Sequence, residues 1–77
     1  MHMKKLDQNK FNIKLGVVVR KIREERDLSR LALAEVSCVN EKYIGKIERG
    51  ECSASVFILN KLSLAFHIPL SDLLKDF

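Results

Sequence analysis

The sequence predicts an all-α domain of five short helices. Apolar residues recur at helical spacing through most of the chain, and Ser29, Asn40, Ser55 and Pro69 each stand just ahead of a periodic segment. The connections between segments are only a few residues long, and one Pro and three Gly leave little room for irregular loops.

Residues 1–9 are polar and lysine-bearing, and are expected to form a flexible basic N-terminal arm. Met1-His2-Met3 is set aside from the fold. The domain proper is expected over 10–77. From about Lys10, Leu15, Val18, Val19 and Ile22 fall at i, i+3, i+4 and i+7, with Arg20, Lys21, Glu24 and Glu25 on the opposite side. Three consecutive valines also suit a strand, but the charged stretch Arg20–Asp27 favours a helix. Asp27-Leu28-Ser29 breaks this helix, and Ser29 caps a second over about Arg30–Ser37, with Leu33 inward. Cys38-Val39 is a tight connection. Asn40 caps a third helix over about Glu41–Arg49, with Ile44 and Ile47 inward, and Gly50 ends it. Ser55 opens a fourth over about Val56–Phe66, whose inward face is expected to be Val56, Leu59, Leu62 and Phe66. Pro69 introduces a last short helix over about Leu70–Lys75.

Composition narrows the function. The chain has 77 residues, enough for one domain, with 47% hydrophobic and 31% charged residues, as in soluble globular domains. Its net charge of +4 is uneven: residues 1–30 carry nine Lys/Arg against four Asp/Glu, and residues 31–77 five against six. A basic half suits a polyanionic partner. Cys38 and Cys52 make no disulfide framework and point to free thiols in a reducing cytoplasm. With His67 they give three ligands at spacings that match no zinc pattern, so no metal or other cofactor is expected. No apolar run is long enough to span a membrane. No nucleophile–base pair or paired carboxylates appear, so no enzymatic activity is expected.

Two short helices joined by a three- or four-residue turn make a helix-turn-helix unit, whose second helix can enter the major groove of DNA. The residues extend the match. Leu15…Ile22-Arg23, Leu28-Ser29, Leu33-Ala34-Glu35, Val39-Asn40, Tyr43-Ile44-Gly45-Lys46-Ile47-Glu48-Arg49-Gly50 and Leu59…Leu62…Ala65-Phe66…Leu70-Ser71-Asp72-Leu73-Leu74 together resemble the Cro/lambda-repressor-like, or XRE-type, family. The resemblance implies that fold, with the helix-turn-helix in helices 2 and 3. It also implies sequence-specific binding of double-stranded DNA by a small transcriptional regulator. Several positions depart from the family's pattern. Arg30 stands where Gln is usual, Cys38 replaces the turn glycine, Ala54 stands where Pro is frequent, and Glu51 is acidic where basic residues are common. His67 occupies the place of a helix-ending glycine.

Carried over residue by residue, the resemblance makes Glu41, Lys42 and Lys46 the candidates for base-edge contact. Arg30 and Arg49 become candidates for phosphate contact. Tyr43 either sets its hydroxyl on a phosphate or packs its ring with the hydroxyl in water. Arg23 and Glu48 are the expected ion pair between the first helix and the recognition helix, and Ala34 is small where the two motif helices cross, so that their axes can approach. Lys4, Lys5 and Lys10 are placed to add a basic arm. Phe57 and Leu64, seven apart, share a second apolar face of the fourth helix with Ile58 and Lys61 nearby. A homodimer interface is expected there, extended by Phe77 and the Leu73-Leu74 end, and reading an inverted-repeat operator. The alternative is an antitoxin-like or corepressor-binding module that uses the fold chiefly to hold a protein partner.

Overall fold

The computed structural model describes residues 7–77 as five helices: α1 (Gln8–Glu25), α2 (Arg30–Ser37), α3 (Glu41–Glu48), α4 (Val56–Phe66) and α5 (Leu70–Leu73). Lys4, Lys5 and the rest of residues 1–6 lie outside the described residues. No helix among those described is long and apolar enough to cross a membrane.

Local chemistry sets the helix ends. α1 begins two residues before the expected Lys10, because the Asp7 carboxylate accepts from the amides of Asn9 and Lys10 at 3.0 and 3.2 Å. Residues 8 and 9 therefore belong to the helix and not to an arm. Ser29 accepts from the Ala32 amide at 3.0 Å, Asn40 from Lys42 and Tyr43, and Ser55 from Ile58 at 3.1 Å. α3 stops at Glu48, where Gly50 at φ +72° lets the Glu51 amide reach the Lys46 carbonyl. α5 ends at Leu73, two residues short of the expected Lys75.

Leu15 and Val19 of α1, Leu33 of α2, Val39, Ile44 and Ile47 around α3, Leu59, Leu62 and Phe66 of α4, and Leu73 of α5 close into one buried core. Each such side chain contributes about 1.5–3 kcal/mol on burial. α1 lies on α3, α2 on both α3 and α4, and α5 on α4. Arg26 locks the C-terminal ends of α1 and α4 together, with its Nε donating to the Phe66 carbonyl at 2.9 Å and its guanidinium over the Phe66 ring.

Three expected placements change. Val56 is 70% exposed; it sits in the first turn, at the margin of the Leu59–Leu62–Phe66 stripe, beyond the reach of the other helices. Leu73 is buried in the core and extends no exposed patch. Phe77 turns to α1, where its ring centroid lies 4.9 Å from that of Phe11 and Lys14 donates to the Asp76 carbonyl.

Gly16 is what brings α1 so close to α3: a Cβ there would run into the carbonyl oxygens of Ile47 and Glu48. Cys38, by contrast, adopts φ +56° although it is not glycine. An L-residue in that left-handed region costs roughly 1–2 kcal/mol, offset in part by glycine's greater entropy loss. Denaturant melts should therefore show Gly16→Ala destabilised by about 2–3 kcal/mol. Cys38→Gly should be stabilised by about 0.5–1 kcal/mol. An unchanged Gly16→Ala midpoint would show that α1 can move off α3.

Candidate nucleic-acid interface

α2 and α3 meet across Cys38-Val39-Asn40. Buried Val39 anchors this turn from below, and the Ser37 hydroxyl accepts from its amide at 3.3 Å. With Ile44 and Ile47 held in the core, the spacing of α3 leaves Glu41, Lys42 and Lys46 outward, all exposed. The structure therefore brings the three expected base-reading residues onto one surface. Arg30, Glu41, Lys42, Gly45 and Arg49 line a shallow groove between α2 and α3. Lys42 and Lys46 have no acidic side chain within ion-pair distance among the described residues. Glu41 sits in the first turn of α3, where a carboxylate complements the helix dipole.

The expected Arg23–Glu48 pair is present and has a third member. Arg23 donates from Nε to Glu48 Oε2 at 2.6 Å and from Nη2 to Oε1 at 3.0 Å, while its Nη1 reaches the Leu28 carbonyl at 2.7 Å. Arg30 Nε donates to the same Oε1 at 3.1 Å. The Glu48 side chain is 1% exposed, that of Arg23 11% and that of Arg30 36%. Burial by itself pushes the Glu48 carboxyl up, but the hydrogen bonds from Arg23 and Arg30 outweigh it and hold the group below its ordinary value. The bond to Glu48 likewise raises Arg23.

Like Arg30, the other two expected phosphate candidates have partners inside the protein. The Tyr43 hydroxyl donates to the Ser53 carbonyl at 3.0 Å, pinning α3 to the loop before α4. Partial burial, with Cys52 nearby, raises the phenol and keeps that proton in place. The proton expected to meet either a phosphate or water is thus already committed. Arg49 is paired with Glu51 through Nε at 2.7 Å and Nη2 at 3.3 Å, so its charge is locally compensated. Gly45 and Glu51 had no expected role at this surface. The motif string held Gly45, and the acidic departure at Glu51 was the one available signal for its pairing.

The profile of the HTH_3 helix-turn-helix family matches residues 19–73. The control protein C.MunI of Mycoplasma sp is 33% identical over 69 residues, covering 88% of this chain and 93% of that protein. The HTH-type transcriptional regulator SutR of Escherichia coli K12 is 32% identical over 61 residues, 79% of this chain. The match covers only 34% of SutR, so the chain spans about a third of that regulator. Among solved structures, the restriction-modification controller protein C.AhdI of Aeromonas hydrophila superposes with a TM-score of 0.81 at 31% identity, covering 83% of this chain and 97% of that one. An HTH_3 family transcriptional regulator from Vibrio cholerae gives 0.85 at 26% identity, over 91% and 39%.

The buried carboxylate has a measurable signature. Arg23→Ala and Glu48→Ala should each destabilise the domain by about 3–5 kcal/mol, and the double variant by less than their sum. Arg30→Ala should cost only about 0–1 kcal/mol, since that side chain is a third exposed. Because the folded-state value of Glu48 lies below the ordinary glutamate value of 4.5, its contribution is complete above that pH. It is lost as pH falls through the lower folded-state value. Urea melts across acid pH should show this component in the wild type and not in Glu48→Gln. Small, additive losses in the cycle would show the pair uncoupled.

Proposed function

The chain belongs to the HTH_3 helix-turn-helix family, and from that premise we propose that it is a small transcriptional regulator that binds double-stranded DNA sequence-specifically, with α3 in the major groove. The observation that carries this reading is the pair of exposed cations Lys42 and Lys46 on α3, with no acidic side chain within ion-pair distance among the described residues, and with Lys42 in a groove edged by Arg30. Lysine donates to the O6 and N7 acceptors of guanine, and Glu41 can accept from a cytosine amino group. Arg30 holds phosphate with its partly exposed guanidinium, supported from behind by Glu48. Tyr43 acts indirectly, fixing α3 against the loop at Ser53. The relatives described above are regulators and controllers, which favours DNA over a protein-holding module. The match over nearly the full length of both control proteins supports the regulator reading. Such a protein works in the cytoplasm, beside the DNA.

Dimerisation is part of the proposal. Phe57 and Leu64 are 67% and 66% exposed on one side of α4, Val56 is exposed at its first turn, and Val36 of α2 is exposed beside the groove that Leu64 lines. A helix apolar on two sides needs cover for both, and a second copy supplies it. Two-fold symmetry would set two recognition helices about 34 Å apart, matching half-sites on successive turns of an inverted repeat.

On cognate and scrambled duplexes, Lys42→Ala and Lys46→Ala should each cut the preference for cognate DNA about tenfold while the fold remains intact. Arg30→Ala should weaken both duplexes alike and lower the salt-dependence slope by about one. Equal losses on both duplexes for the lysine variants would remove them from base reading.

Sedimentation tests the interface. Wild type should be dimeric at tens of micromolar, and Phe57→Glu/Leu64→Glu monomeric with unchanged helicity. A double variant that stays dimeric would place the contact elsewhere.

A further inference from the structure

Two glycines inside helices are close-packed for different reasons. At Gly16 a Cβ would strike backbone carbonyls of another helix. At Gly45 the three nearest atoms all belong to the Arg49 guanidinium, with Nη1 at 2.9 Å from the position a Cβ would take. Nothing from the core stands nearer, so close packing of helices does not demand this glycine. Yet glycine weakens a helix interior, and α3 is only eight residues long. What Gly45 gives is clearance for Arg49.

Arg49 follows the last residue of α3, but its side chain leans back along the helix, as helical side chains do. That carries the guanidinium over Gly45 and into the groove lined by Arg30, Glu41 and Lys42. Glu51 grips it from the other side through Nε and Nη2. Nη1 has no hydrogen-bond partner among the described residues, so the edge of the fork formed by Nη1 and the second N–H of Nη2 stays open. A guanidinium paired with a carboxylate adds little to non-specific phosphate attraction, which depends on net charge. A guanidinium held along one edge, with two parallel donors left unbonded, suits the O6 and N7 acceptors of guanine.

We infer that Gly45, Arg49 and Glu51 form a guanine-reading unit of the recognition surface, in which Arg49 contacts the base, Glu51 orients it and Gly45 makes room for it. This inference rests on the DNA-binding reading above.

The test selects sites from random duplexes with the full chain and with Arg49→Lys, Glu51→Gln and Gly45→Ala, then titrates each protein on the selected site and on its single-guanine replacements. Wild type should select a site in which replacing one guanine costs about tenfold or more in affinity. All three variants should relax that same position to about twofold, leaving the positions read by Lys42 and Lys46 unchanged. Glu51→Gln should also steepen the salt dependence, because Arg49 loses its compensating charge. Gly45→Ala should melt no lower than wild type, which separates lost discrimination from unfolding. If Arg49→Lys keeps every base preference and loses affinity equally on all duplexes, Arg49 is a phosphate contact and the inference falls. If wild type enriches no sequence at all, the DNA-binding reading fails, and the guanine-reading unit falls with it.

Discussion

Glu48 is the point at which the packing of this domain and its outward surface are tied together. Its carboxylate is sealed from water and receives three charged donors, two from Arg23 on α1 and one from Arg30 on α2. Its backbone carbonyl, with that of Ile47, presses on α1 where Gly16 has no side chain. Three helices are thereby fixed in mutual orientation at one residue. A carboxylate this buried survives only when fully paired, since an unpartnered charge at such a site costs several kcal/mol. The arrangement contributes as much to a single orientation of α3 as to stability. It also leaves Arg30 with one edge on Glu48 and the rest in solvent, at the rim of the groove beside α3.

The two sides of α4 show the same economy of contacts. One side supplies Leu59, Leu62 and Phe66 to the core, and the other leaves Phe57 and Leu64 in solvent. Lys61 links that outer side to the helix-turn-helix. Its Nζ lies 4.8 Å from the Phe57 ring centroid and donates to the Cys38 carbonyl at 3.3 Å. The turn ahead of the recognition helix therefore rests on a side chain rooted in the surface proposed to meet a second subunit.

Three helices in this chain are followed by residues in the left-handed region that are not glycine: Asp27, Cys38 and His67. Each costs energy that glycine would avoid, and each is held by its neighbours. The Leu28 amide returns to the Arg23 carbonyl beyond Asp27, and the Ile68 amide to the Ser63 carbonyl beyond His67. Around Cys38, Val39 is buried on one side and Lys61 bonds its carbonyl on the other. The backbone path is set by what packs around these residues, which overrides their local preference.

What the sequence determined by itself was local and periodic. Capping side chains at Ser29, Asn40 and Ser55, apolar spacing and the string from Tyr43 to Gly50 identify the helices, the helix-turn-helix and its outward residues. These signals act over one or two helical turns. The Arg23–Glu48 pair was legible only through resemblance, since nothing local joins residues 25 apart. What the tertiary structure decided depended on the neighbours of each position. Val56 fits the apolar stripe by spacing, yet no helix reaches it. Leu73 goes to the core and Phe77 to Phe11, although both read as apolar tail. Gly16 and Gly45 are alike in sequence; one is required by a crossing backbone, the other faces the Arg49 side chain. Arg30, Tyr43 and Arg49 read as free donors until folding brings up Glu48, the Ser53 carbonyl and Glu51. Glu51 lies only two residues from Arg49, but their pairing needs the turn that Gly50 makes. Periodicity reports which face of an element is apolar; only the packed chain decides what that face, or a charge beside it, meets.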